Sequence, residues 1–116
     1  MGIEKLFISM EEKSALVELQ KNLITDFGVE ELIAYGAGVK EGNGNKKTNE
    51  GVLDLLALTA EPVTSQHKQA MLDLLAQINQ DFHTSFTLLI FDKVTWENWA
   101  GQNLYQEIKK EGVQIW

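Results

Sequence analysis

The chain has no cysteine and a single proline among its 116 residues. Without thiols it can form neither disulfides nor thiolate metal sites, and only His67 and His83 are left as candidate nitrogen ligands, so a zinc site is not expected. Positive charge is also scarce: ten basic residues stand against seventeen acidic ones, a formal net charge of −7. That sign opposes the counterion release that rewards nucleic-acid binding, so no nucleic-acid partner is expected. A basic protein surface or a metal-chelated small nucleotide suits the charge better. No apolar run approaches the roughly 20 residues of a membrane helix, which excludes a helical membrane anchor from the expectation. Met1 to Lys5 carry no cationic head followed by an apolar stretch, and Leu6 breaks the myristoylation pattern that Met1-Gly2 opens, so a cytoplasmic location is expected.

What the chain does contain is 44% hydrophobic residues, too many for disorder and enough for one modest core. A single domain over residues 1–116 follows from the length. Ser9-Met10-Glu11-Glu12 reads as a capping box that starts a helix. Leu16, Leu19, Leu23 and Phe27 recur at helical spacing, and Gly28 supplies a left-handed stop. After a Val29-Glu30-Glu31 lead-in, Leu32 to Tyr35 reads as a short buried strand.

From Gly36 to Gly51 the composition shifts to glycine, asparagine and lysine and reads as a loop. Val52 to Leu58 is apolar apart from Asp54 and suits a central strand covered on both faces. A lone acid there is costly unless it points out of the core. Thr64 or Ser65 caps a second helix with the stripe Met71, Leu74, Leu75, Ile78 and Phe82. Ser85 to Phe91 is a third strand. Trp96 and Trp99 lie in a short helical turn, Leu104, Tyr105 and Ile108 in a last helix ended by Gly112, and Val113 to Trp116 in an extended tail. The order predicts an α/β (α+β) fold: a small mixed β-sheet flanked by helices.

Chemistry concentrates between Leu32 and Leu58. The spacing Gly36-x-Gly38-x-x-x-Gly42 after a strand mimics a dinucleotide fingerprint, but Asp54 lies inside its strand rather than at the end where a ribose-binding acid belongs. Lys46-Lys47-Thr48 fails as a Walker motif, because the required glycines fall on Glu41 and Lys46. Trp96, Trp99 and Trp116 read as packing residues before they read as a ligand cage. His67 and His83 read as solvated, and the Met71 stripe as helix core.

Leu32-Ile33-Ala34-Tyr35-Gly36-Ala37-Gly38-Val39-Lys40, the acid Asp54, and the tail from Ile108 to Trp116 together resemble the minimal nucleotidyltransferases of the polymerase-β-like superfamily. That family carries a glycine-serine turn after an apolar strand and two aspartates at i and i+2 on the next strand. Two such aspartates share one strand face and hold the magnesium that bridges the triphosphate and activates the attacking hydroxyl. In this chain the serine position is Ala37 and the first aspartate position is Val52. Glu50 has the right parity but, at about 3.3 Å per residue, lies roughly 13 Å from Asp54. A third family acid on the following strand has no counterpart at Thr87 or Leu88.

The resemblance implies a nucleotidyltransferase fold with a degenerate active site. Asp54 is then the remnant, weak metal ligand, and Gly36, Ala37, Gly38 and Lys40 the nucleotide contacts, with backbone amides still able to hold an anion. No cofactor is expected, and Mg2+ only if the site is active. The function implied is binding of a protein partner, antitoxin-like, the partner class being a helical HEPN-type protein, with a homo-oligomer as another form of association. The alternatives are a Mg-dependent transferase moving AMP to a protein hydroxyl and a nucleotide-binding regulatory domain.

Overall fold

The computed structural model describes residues 8–36 and 52–116. Helix α1 spans Met10–Phe27 and starts where its capping box places it. The Ser9 hydroxyl accepts the Glu12 amide at 3.1 Å, and the Glu12 carboxylate accepts the Ser9 amide at 2.7 Å. Gly28 ends the helix at φ 65°, a conformation that carries no Cβ penalty for glycine. Strand β1, Val29–Tyr35, begins three residues before the expected Leu32, so the lead-in belongs to the strand. A register shift between Val29 and Glu31 interrupts the alternation there, which is why the sequence pattern hides it.

Strand β2 spans Val52–Thr59, and helix α2 spans Ser65–Phe82 with Thr64 as its cap, its hydroxyl accepting the His67 amide at 3.1 Å. His67 is solvent-facing, and its ring also meets Phe27 edge-on at 6.2 Å. Strand β3 is Ser85–Asp92, followed by the short α3, Lys93–Glu97, then α4, Asn103–Glu111, and β4, Val113–Gln114. The sheet order is β3-β2-β1-β4. β1 runs antiparallel to both β2 and β4, while β2 and β3 are parallel, with α2 as the crossover that a parallel pair requires. This is the mixed α/β sheet flanked by helices that the element order predicts.

Side-chain alternation divides the sheet into two faces. On one, Leu53, Leu55 and Ala57 of β2, Leu32 and Ala34 of β1, and Phe86, Leu88 and Ile90 of β3 pack against Leu16, Leu19 and Leu23 of α1 and Met71, Leu75 and Ile78 of α2. On the other, Tyr35, Leu56 and Leu58 pack with Trp96, Tyr105 and Ile108 from α3 and α4. Ile115, fully buried, extends the β4 pairing, its amide donating to the Leu32 carbonyl at 2.8 Å. No helix among the described residues is long and apolar enough to cross a membrane.

Candidate functional site

The register brings three residues into one row across the sheet. Tyr35 lies opposite Asp54, and Asp54 opposite Thr87. All three share the face that α3 and α4 cover, because the next residues of that parity, Ile33, Leu56 and Leu89, belong to the second core. The first row is polar and the following rows are apolar. Asp54 therefore sits at the rim of the covered face, half-buried, which is how an otherwise apolar central strand tolerates a carboxylate.

Asp54 is held on two sides. The Thr87 hydroxyl donates to its Oδ1 at 2.7 Å, a charge-assisted bond across the parallel pair. Its Oδ2 lies under the turn that leaves β1: a Cβ built on Gly36 would stand 2.6 Å from that oxygen. Gly36 adopts φ 83°, so glycine is required there both by backbone conformation and by the carboxylate beneath it. Asp54 thus takes a side-chain partner from β3, at a position notable in the sequence only for lacking a third acid.

Of the sequence-predicted site residues, the structure joins Gly36 and Asp54. Ala37, Gly38 and Lys40, with Glu50, Lys46 and Lys47, lie outside the described residues. Among the described residues no three His, Asp or Glu side chains converge as a metal-holding group. The phenol of Tyr35 is pushed above its usual value, first by burial, then by the charges of Asp54 and of Glu107 on α4. Glu107 was not foreseen: only the packing of α4 over the sheet brings its charge near Tyr35.

The chain has two tyrosines, and both phenols are raised. Tyr105 owes its shift first to the hydrogen bond it donates to Glu97 at 2.8 Å. A raised phenol favours the neutral form in the folded state, so its contribution to stability is intact below about pH 10 and is lost as pH climbs through the folded value. An alkaline ultraviolet titration should show both midpoints above that of free tyrosine. Asp54→Asn should lower one midpoint without normalising it, since burial is the larger cause, and leave the other in place. A titration unchanged by Asp54→Asn would mean that the carboxylate does not face the phenol.

The arrangement can stiffen a turn and present a carboxylate at a rim. All ten basic residues of the chain are lysines, and those nearest the turn in sequence, Lys40, Lys46 and Lys47, fall outside the described residues. No family model matches the chain, and neither curated proteins nor solved structures give a match.

Proposed function

We propose that this chain keeps the scaffold of a minimal nucleotidyltransferase site without the transfer reaction, and that it works by binding another protein. The observation carrying this reading is the state of Asp54. One of its oxygens accepts the Thr87 hydroxyl and the other packs under Gly36, while the position two residues before it on β2 is Val52. A carboxylate used as a brace between two strands and a turn serves the fold, and alone it is a poor magnesium site, since that ion needs charge from more than one ligand. Lysines also lack the planar fork with which arginine grips a phosphate.

The adjacency of the glycine turn and the acid-bearing strand supports the family resemblance. It does so because a transferase site needs that turn and that strand side by side. The net charge of −7 favours a partner with a basic surface. Following the resemblance, the partner class is a helical HEPN-type protein, with this chain in the antitoxin-like role.

Calorimetric titration of ATP with and without magnesium, followed by intact-mass measurement of the same mixture, tests the reading. The expected result is no nucleotidyl adduct, and no magnesium-dependent binding that Asp54→Asn abolishes. A magnesium-dependent adduct that disappears in Asp54→Asn or Glu107→Gln would sink the proposal and assign those carboxylates to an active transferase.

A further inference from the structure

The second face of the sheet is thinly covered. Among the described residues the first core holds seventeen buried side chains and the second six, and α4 supplies only Tyr105 and Ile108 of those six. The Tyr105 hydroxyl donates to Glu97 at 2.8 Å, and the Gln106 side-chain amide donates to the Ala100 carbonyl at 3.3 Å. These two bonds tie α4 to the end of α3 and the turn after it, not to the sheet.

The start of α4 is weak as well. Ser9, Thr64 and Asp92 cap α1, α2 and α3 through side-chain hydrogen bonds, whereas Gln102 makes none. The first-turn amides of α4 therefore lack the acceptor that a cap provides.

Glycines bracket the helix. Gly101 has open space where a Cβ would stand. Gly112 fits only because it has no Cβ, which would lie 2.5 Å from the Ile108 carbonyl oxygen and 2.8 Å from Cγ2 of Ile33. The end of α4 thus comes down on Ile33 of β1 with no slack. Closure also brings the Glu107 charge toward Tyr35, whose phenol already feels that of Asp54. The two carboxylates are of like sign, so electrostatics oppose the closed position.

We infer that α4 is a hinged cover on the Tyr35–Asp54 end of the sheet. It opens as a unit between Gly101 and Gly112 while α3, β4 and the first core keep their places, and it uncovers Ile33, Tyr35 and Leu56. Short hinges of this kind at the ends of an element are how covers over binding sites move, and such covers are drawn from the least stable part of a fold. As a gate on a partner-binding row, the cover rests on the function proposed above. As a motion it does not.

Hydrogen exchange of the whole chain, followed residue by residue at urea concentrations below the unfolding midpoint, measures the motion alone. The amides of Glu107 to Glu111 should exchange about a hundredfold faster than those of Leu19, Leu23, Leu55 and Ala57, with one shared and shallow urea dependence. Gln102→Asp, which adds the missing cap, should slow exchange in α4 about fivefold. Gly112→Ala, which puts a Cβ against Ile108 and Ile33, should speed it. Neither should change the amides of α1 and β2 by as much. Exchange of α4 at the rate and urea dependence of α1 and β2 overturns the proposal, because the helix then opens only when the whole chain unfolds. A loss of protection that runs inward from the helix ends without a shared urea dependence overturns it too, since that is fraying. So does a Gln102→Asp variant that shifts every amide equally. The ATP titration above tests the function separately: an adduct there would remove the gate's role and leave the opening as measured.

Discussion

Replacing Trp96 by alanine is expected to lower the unfolding free energy by about 3–5 kcal/mol, the usual cost of emptying a large aromatic site. Trp96 is only 3% exposed. Its ring stands 5.3 Å from Phe91, 5.1 Å from Tyr105 and 6.4 Å from Trp99. Among the described residues the cluster it centres has five other buried members, Tyr35, Leu56, Leu58, Tyr105 and Ile108. With so few neighbours the void cannot be filled by repacking, and α3 and α4 lose their common anchor on the sheet.

Against a typical total of about 5–15 kcal/mol, a loss of that size leaves a marginal protein. The melting midpoint should fall by tens of degrees, given roughly 4–8 °C per kcal/mol for a domain near this length. Trp96→Phe, which keeps a ring in place, should lose less. Urea unfolding of the three proteins decides the point: a loss under about 1 kcal/mol for Trp96→Ala would show that the second core is organised around some other residue.

Asn79→Ala is expected to cost about 2–3 kcal/mol although it removes no large apolar group. The Asn79 side chain serves the Phe86 amide and carbonyl and also accepts the Thr84 hydroxyl at 2.8 Å. Each such bond is worth about 1 kcal/mol net, and a partly buried group left without a partner costs more than the bond was worth. Asn79→Asp should fall between alanine and wild type, because it keeps the acceptor and loses the donor. The change should appear in the urea midpoint with the slope unaltered. Equal stability of Asn79→Ala and wild type would mean that water replaces the amide at this edge without loss.

Asn79 also marks what a sequence does not disclose. The helices were legible because their signals are local: the Ser9 capping box, Gly28, the Thr64 cap and the 3.6-residue stripes each involve residues within a few positions of one another. The strands were legible as apolar runs, apart from the start of β1, where the irregularity at Val29 to Glu31 breaks the alternation. The requirement that Asp54 escape the core was also legible, and it lies at the rim.

Its partner was not legible, because Thr87 is 33 residues away and its relevance depends on the register of a parallel pair, which only α2 fixes. Glu107 and Asn79 were missed for the same reason: one acts through the docking of α4 and the other through the angle at which α2 returns to β3. Neither carries a mark in its own neighbourhood. The resemblance directed attention to Gly36 and Asp54, and these do meet. The chemistry it implies rests on residues whose identities, Ala37 and Val52, already depart from the pattern.

The pairing of Leu32 with Ile115 and Trp116 has a consequence for how the chain reaches this structure. β1 meets β4 and its extension across a separation of some eighty residues in sequence, whereas α1, β1, β2, α2 and β3 are assembled from nearer neighbours. Loop-closure entropy and topology both place so distant a contact late in assembly. Until it forms, the row of Ile33, Leu56 and Leu89 is covered from the α3 side by Trp96 but lacks Tyr105 and Ile108 of α4. The face shared by α3 and α4 is therefore the part of the fold expected to close last, and an incompletely covered apolar face is the one most exposed to misassembly.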